Sequence, residues 1–135
     1  MVRARILLAD DEEDFVNLVA YNMRRLGYDL RCAPDGGEAL RLAREIRPDL
    51  MILDFVLPVL DGISLCEILR SDRATRVIPI ILFTAVPGQI VRLSGFEAGA
   101  DAYLAKPVPM RELVGCVERL LIGRRSGRRS VRSAA

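Results

Sequence analysis

Acidic, hydroxyl and lysine side chains stand directly after four apolar runs of this sequence. Asp10 and Asp11 follow the run ARILLA, and Asp54 follows LMIL. Thr84 follows IPIILF, and Lys106 follows AYLA. Unbroken apolar runs of this length are typical of strands that are buried on both faces of a parallel sheet. Because the carboxyl ends of parallel strands meet at one edge, where such sheets bind ligands, we expect these five side chains to lie close together.

The chemistry of this group is set by its three carboxylates. Carboxylates that lie together repel one another and need a cation to stay ionised at neutral pH. Oxygen ligands favour Mg²⁺, which keeps several waters and binds few protein carboxylates together with a phosphate oxygen. A phosphoryl group on one carboxylate would then meet the Lys106 ammonium and the Thr84 hydroxyl, which would neutralise its charge during transfer. The pattern therefore indicates a phosphoryl site with Mg²⁺ as cofactor.

Several other kinds of site are excluded by residue counts. The sequence contains no histidine, and Lys106 is the only lysine among its 20 basic residues. A histidine general base and a phosphohistidine are therefore impossible within this chain. The three cysteines are widely spaced and form no Cys-x-x-Cys pair, so we expect Cys32, Cys66 and Cys116 to be small buried hydrophobic residues.

The predicted strands that position these residues alternate with predicted helices along the chain. Apolar runs predict strands at 4–9, 28–33, 50–53, 78–83 and 102–105, and amphipathic stretches predict helices at 14–26, 36–46, 63–71, 88–98 and 109–122. Asp29 and Arg31 place the second strand at a sheet edge. Gly27, Gly99 and Gly123 are expected to end the first, fourth and fifth helices. The predicted fold class is α/β, a doubly wound five-stranded parallel sheet with five helices on both faces.

The length of 135 residues, of which 51% are hydrophobic, fits one domain. We expect that domain over residues 1–122 and a basic, flexible tail or linker over 123–135. No aromatic residue is interleaved with the arginines of this tail, so nucleic-acid binding by the chain is not favoured. No apolar run reaches the roughly 18 residues of a membrane span, and the first residues lack a secretory signal, so a cytoplasmic protein is expected.

Four motifs carry a resemblance to a known family: LLADDEEDF, LMILDFVLPVLDG, PIILFTA and GADAYLAKPV. Together they resemble the receiver domain of bacterial two-component response regulators, the CheY-like superfamily, over residues 5–121. The resemblance implies a flavodoxin-like sheet with strand order 2-1-3-4-5. It also implies a signalling phosphoacceptor rather than an enzyme, which assists its own phosphotransfer and autodephosphorylation.

The resemblance gives the acidic residues their roles. Asp54 is expected to accept a phosphoryl group from a sensor histidine kinase or a phosphotransfer protein. Asp11 would bind Mg²⁺ directly and Asp10 would bind it through water. Asp54 and the backbone carbonyl of Val56 would supply further ligands to the metal.

The resemblance also implies a switch. Thr84 and Lys106 match the family's switch hydroxyl and phosphate-binding lysine, and Tyr103 matches its switch aromatic residue. Phosphorylation would draw Thr84 inward, and the space that it leaves would admit the Tyr103 ring. The surface altered would be the fourth helix, fifth strand and fifth helix. The output would come either from docking of a downstream protein partner on this surface or from a further domain outside this sequence. A homodimer on phosphorylation stays open, but the salt-bridged dimer of the family's transcription factors is doubtful because Ala102 and Cys116 stand at two of its charged positions.

Other interpretations stay open at this point. A phosphatase or phosphotransferase of the haloacid-dehalogenase type needs Asp-x-Asp, whereas Asp54 is followed by Phe55 and Val56. A receiver-like scaffold that signals by binding alone would usually lack the aspartate or the lysine, and neither is missing. Tyr103 could be a strand tyrosine without a switching role. Val56 and Val86 are both apolar and cannot orient an attacking water, so slow hydrolysis of the phosphoryl group is expected.

Overall fold

The computed structural model of the chain describes residues 3–85 and 88–125. Strands and helices alternate throughout these ranges. The elements are β1 (Arg5–Ala9), α1 (Glu13–Arg25), β2 (Asp29–Ala33), α2 (Gly36–Ile46), β3 (Leu50–Asp54), α3 (Gly62–Ser71), β4 (Ile80–Thr84), α4 (Gln89–Ala98), β5 (Ala102–Ala105) and α5 (Met110–Arg125). None of the helices in the described ranges is long and apolar enough to cross a membrane.

The five strands form one parallel sheet in the order β2-β1-β3-β4-β5. This order confirms the flavodoxin-like topology, and it places β2 at an edge, as its polar residues predicted. The register sets Asp54 beside Phe83 and Thr84 beside Ala105. The carboxyl ends of the four strands that precede the polar residues therefore lie side by side at one end of the sheet.

An apolar layer covers each face of the sheet, because successive side chains of a strand point to opposite faces. One layer packs the strands against α1 and α5, and its members include Ile6, Leu8, Val19, Ile52, Phe83 and Val117. The other packs them against α2, α3 and α4, and its members include Leu7, Ala43, Met51, Leu69, Leu82 and Ala98. Every residue of β3 and β4 is buried. The doubly wound arrangement with helices on both faces is thus confirmed.

The end of the last helix differs from the prediction. The expectation that Gly123 ends this helix is wrong, because α5 continues to Arg125. A glycine inside a helix costs only about 1 kcal/mol relative to alanine, and the arginines that follow are good helix formers. The tail predicted over 123–135 therefore starts within α5, and residues 126–135 lie outside the described residues.

The cysteines divide between the core and the surface. Cys66 and Cys116 are buried, as predicted, whereas Cys32 is exposed and its prediction is wrong. Cys32 lies on β2, where Arg31 is also exposed. An edge strand has a neighbouring strand on one side only, so part of it stays open to solvent.

A buried ion pair ties the amino ends of β4 and β5 to α3. The guanidinium of Arg70 donates to the carboxylate of Asp101 at 2.7 Å and to the carbonyls of Ile78 and Gly99 at 2.7 and 2.9 Å. Asp101 also accepts a hydrogen bond from the N–H of Ile80 at 2.9 Å. The two charged side chains are only 12% and 1% exposed. This pair fixes the end of the sheet opposite to the polar residues.

Replacing Arg70 with methionine should lower the free energy of unfolding by about 3–5 kcal/mol, because the substitution leaves the Asp101 charge buried without its partner. Urea unfolding followed by far-ultraviolet circular dichroism measures this loss. Arg73 is exposed in the turn that follows α3. Arg73→Met is therefore the matched control, and it should change stability by less than about 0.5 kcal/mol. Equal losses in the two variants would contradict the role of the buried pair.

Candidate functional site

The structure brings the strand-end residues together at the carboxyl edge of the sheet. Asp10 directly follows β1, Asp54 and Thr84 are the last residues of β3 and β4, and Lys106 directly follows β5. Asp10, Asp54 and Lys106 continue the alternation of side chains that face α1 and α5. Thr84 continues the alternation of the opposite face, which it shares with Tyr103. The structure thus brings Asp10, Asp54 and Lys106 together at this end of the sheet, and it places Thr84 at the same end on the opposite face.

The ammonium of Lys106 bridges two buried carboxylates. Its Nζ donates to Oδ2 of Asp10 at 3.0 Å and to Oδ2 of Asp54 at 3.1 Å. The lysine side chain is 14% exposed, and the side chains of Asp10 and Asp54 are 0% and 9% exposed. Glu12 places a carboxylate oxygen 3.7 Å from the same nitrogen, a contact that the sequence did not predict. The only lysine of the chain is thus the centre of the charged site.

Burial and the surrounding charges and hydrogen bonds together set the pKa values of Asp54 and Lys106. Burial raises the pKa of Asp54, and the nearby charge of Asp10 raises it further, although hydrogen bonds from the Val56 N–H and from Lys106 lower it. Burial alone would lower the pKa of Lys106, but its hydrogen bonds to Asp10 and Asp54 outweigh burial and raise that pKa. Lys106 therefore stays cationic at neutral pH.

Three carboxylates converge where a divalent cation could bind. Oxygen atoms of Asp10, Asp11 and Asp54 all lie within 4.8 Å of one another, and Asp11 is the exposed member. Oδ1 of Asp10 accepts the N–H of Glu12 at 2.8 Å, which fixes the orientation of that carboxylate. A set of oxygen donors with one side open to water fits Mg²⁺, which retains water ligands.

The loop after β3 packs closely against the first residues of α2 and α3, and this holds Asp54 in place. The N–H of Val56 donates to Oδ1 of Asp54 at 3.1 Å. A Cβ atom added at Gly62 would lie 2.3 Å from the carbonyl oxygen of Asp54, and one at Gly36 would lie 1.8 Å from that of Leu60. These positions require glycine because the loop backbone approaches them so closely. The loop thereby connects α2 and α3 to the carboxylate.

Thr84 and Tyr103 lie on the other face of the sheet. Thr84 is buried, and its carbonyl accepts the N–H of Lys106 at 2.8 Å. Tyr103 is also buried, with its ring centroid 6.4 Å from that of Phe96 and its Cδ2 atom 3.4 Å from the position of a Cβ at Gly95. Burial raises the pKa of Tyr103. Gly95 of α4 thus packs next to the aromatic ring, and the Leu82 side chain lies closer still, 2.7 Å from the position of that Cβ.

Two phenylalanines contact Lys106, and neither contact was predicted from the sequence. The Lys106 Nζ lies 4.6 Å from the centroid of the Phe15 ring and 4.9 Å from that of Phe83. Phe83 directly precedes Thr84, and Phe15 is the third residue of α1. Both positions read as ordinary core residues in the sequence, because only the folded chain shows that a lysine crosses over them.

Comparison with known proteins identifies the family. Residues 6–118 match the response regulator receiver domain. The chain belongs to this family. The receiver is 44% identical over 117 residues to the alkaline phosphatase synthesis transcriptional regulatory protein PhoP of Bacillus subtilis, an alignment that covers 87% of the receiver and 48% of PhoP. It therefore spans about half the length of this curated relative.

Solved structures agree with this assignment. The receiver superposes with a TM-score of 0.84 on the receiver domain of Francisella response regulator 1452, at 32% identity, covering 92% of this chain and 99% of that one. It also matches the receiver domain of the sensor histidine kinase PA1611 from Pseudomonas aeruginosa, with a TM-score of 0.81, 36% identity and coverage of 87% and 97%. That structure has a magnesium ion coordinated in its active-site cleft. Receiver domains are signalling phosphoacceptors that take phosphoryl groups from histidine kinases, and phosphorylation and Mg²⁺ are general to the family.

Asp54→Asn should raise the free energy of unfolding of the receiver at pH 7 when divalent cations are removed with EDTA. Because its pKa is raised in the folded state, ionisation of Asp54 lowers stability at neutral pH. The gain from the substitution should shrink as the pH falls through that pKa, and it should be lost below the ordinary value of 3.8, where the wild-type carboxyl is protonated in both states. Urea unfolding at a series of pH values measures this difference.

Asp61→Asn is the control with the opposite sign. Hydrogen bonds from the backbone N–H and the hydroxyl of Ser64 hold the pKa of Asp61 below its usual value. The Asp61 carboxylate therefore adds stability above its unfolded pKa, and that stability is lost as the pH falls through the folded pKa. Its neutralisation should lower stability at pH 7. A lower stability of Asp54→Asn than of the wild type at pH 7 would contradict the effect assigned to burial.

Proposed function

We propose that Asp54 accepts a phosphoryl group from a phosphohistidine of a sensor histidine kinase or a phosphotransfer protein. The observation that carries this proposal is the bridge from Lys106 to Asp54 at 3.1 Å and to Asp10 at 3.0 Å, beside a third carboxylate. The cation already contacts one oxygen of the carboxylate that the phosphoryl group would modify. The proposed metal ligands are Asp11 directly, Asp10 through water, Asp54 and the carbonyl of Val56.

The residues of the site account for each part of the transfer. An oxygen of Asp54 attacks the phosphorus atom, the new O–P bond forms, and the N–P bond breaks so that the donor imidazole leaves with the electron pair. During the transfer, the Lys106 ammonium would act as a compact cation that contacts one oxygen of the phosphoryl group. The Val56 N–H and the tightly packed loop keep the carboxylate from rotating. Bound Mg²⁺ would neutralise the charge shared by the carboxylates and the phosphoryl oxygens.

The surroundings of Asp54 suit a donor that arrives from solvent. Ala85 is small and exposed directly after β4, and it leaves space for an incoming imidazole. Val56 is also exposed, at 58%, and its side chain cannot orient a water for attack on the aspartyl phosphate. We therefore propose slow autodephosphorylation. Val86, the second residue behind this expectation, lies outside the described residues.

The proposed switch uses the face of the sheet opposite to Lys106. A phosphoryl group on Asp54 would draw the Thr84 hydroxyl towards it, and this movement would favour the buried position of Tyr103. The ring is already buried beside Phe96 of α4, so the phosphoryl group would stabilise a position that the ring can take without it. The signal would then reach a surface formed by α4, β5 and α5, where we propose that a downstream protein or a second copy docks.

A salt-bridged dimer on this surface has little support from the residues present. Ala102 and Cys116, at two of the positions expected to be charged, are both buried. Asp101 is 1% exposed and pairs with Arg70 inside the protein. A homodimer, if it forms, would use other contacts.

Incubation with acetyl phosphate and Mg²⁺ should add about 80 Da to the intact mass of the wild-type receiver, the mass of one phosphoryl group. Asp54→Asn should show no gain, because the amide cannot act as the acceptor. Asp61→Asn is the matched control, since it removes a nearby carboxylate outside the site, and it should gain the same mass as the wild type. Labelling of Asp54→Asn, or a wild-type protein that binds Mg²⁺ and gains no mass, would contradict the proposal.

Lys106→Arg should fold and bind Mg²⁺ but should accept the phosphoryl group at least about tenfold more slowly, because a planar guanidinium cannot replace a compact ammonium between two carboxylates. The initial rate of mass gain with acetyl phosphate measures the change. Arg73→Lys, which makes the reverse exchange on an exposed segment, is the control. Labelling of Lys106→Arg at the wild-type rate would exclude Lys106 from the reaction.

A further inference from the structure

Two aromatic rings lie against the Lys106 ammonium. The Phe15 centroid lies 4.6 Å from Nζ and the Phe83 centroid lies 4.9 Å from it. The ring centroids are themselves 4.9 Å apart, and their planes are inclined by 39°. Both distances fall within the range of about 6 Å over which an ammonium is attracted to the face of a ring.

The rings take the place of water around the ammonium. An ammonium is strongly hydrated and stands on a flexible four-carbon chain, so without a second contact it would turn towards solvent. Asp10 and Asp54 bind it through their oxygens. The rings add apolar surface beside it that still attracts a cation. The side chain of Lys106 is accordingly only 14% exposed.

The two rings are anchored differently. Phe83 is 1% exposed and pairs with Asp54 in the register of the sheet, so it is a fixed part of the core. Phe15 is half-buried in the first turn of α1, which begins just after Asp10 and Asp11. Phe15 therefore links the segment that carries Asp10 and Asp11 to Lys106. It can be substituted with less damage to the core than Phe83.

We infer that Phe15 and Phe83 are positioning residues that hold the Lys106 ammonium on Asp54 for phosphoryl transfer, an inference that rests on the proposed function. Neither ring touches the phosphoryl group in this account. Each acts through the lysine, by limiting the positions that the ammonium takes while the Asp54 oxygen attacks the phosphorus atom.

The test compares Phe15→Leu with Phe15→Tyr. Leucine keeps an apolar side chain and removes the ring, whereas tyrosine keeps the ring. Phe15→Leu should accept the phosphoryl group from acetyl phosphate about 5- to 30-fold more slowly, the range expected for the loss of one desolvated cation–π contact. Phe15→Tyr should stay within about twofold of the wild-type rate, because it retains the contact. Urea unfolding of both variants shows that they are folded during the assay.

A second background separates positioning from a general structural effect. In Lys106→Met the ammonium is absent, so adding Phe15→Leu should not slow the residual labelling further. An equal slowing in the presence and absence of Lys106 would overturn the inference, because the ring would then act independently of the lysine. Labelling of Phe15→Leu at the wild-type rate would also overturn it.

A spectroscopic measurement reads the contact without any phosphorylation. Because the chain has a single lysine, ¹³C-lysine labelling gives one ε-methylene signal, and the neighbouring rings should shift its protons away from their position in an unstructured peptide. Phe15→Leu should move this signal towards that position, and Phe15→Tyr should leave it displaced. An unshifted signal in the wild type would overturn the contact itself. A shifted signal in a wild-type protein that accepts no phosphoryl group would instead overturn the proposed function and, with it, the catalytic purpose of the contact.

Discussion

The contact of the Lys106 ammonium with two buried carboxylates is the interaction on which the site depends. Asp10 and Asp54 lie inside the protein, where an isolated charge costs several kcal/mol. The lysine offsets that cost, and in doing so it holds both carboxylates at one point beside the exposed Asp11. The opposing effects on the pKa of Asp54 follow from this arrangement. The same balance of charges leaves the site ready for a further cation and an anionic group.

The order of the strands explains why a long cation and an aromatic surface are needed. β4 lies between β3, which ends in Asp54, and β5, which precedes Lys106. Strands lie about 4.8 Å apart, so the lysine has to reach back across the end of β4 over a distance of about 10 Å. Phe83 is the β4 residue that it crosses. At the other end of β4 and β5, the pair of Arg70 and Asp101 fixes the strands from which this reach is measured.

Much of this arrangement could be predicted from the sequence, because a parallel sheet converts spacing along the chain into position. Residues that follow apolar runs meet at one edge whichever loops connect them, and this logic placed Asp54, Thr84 and Lys106 together. The predictions that were wrong concerned features that depend on the tertiary structure. Cys32 is exposed because its strand lies at the edge, and α5 passes through Gly123 because neighbouring helix formers outweigh one glycine. The rings around Lys106 had no sequence signal, since a cation–π contact exists only once the chain has folded.

The proposed function requires that Asp54 and no other carboxylate receives the phosphoryl group. Borohydride reduction after labelling with acetyl phosphate and Mg²⁺ tests it most directly, because hydride converts an aspartyl phosphate to homoserine and leaves free carboxylates unchanged. Peptide mass spectrometry then locates the reduced residue. Homoserine should appear at position 54 alone. Homoserine at position 10, 11 or 61, with an unaltered Asp54, would rule out the role proposed for Asp54.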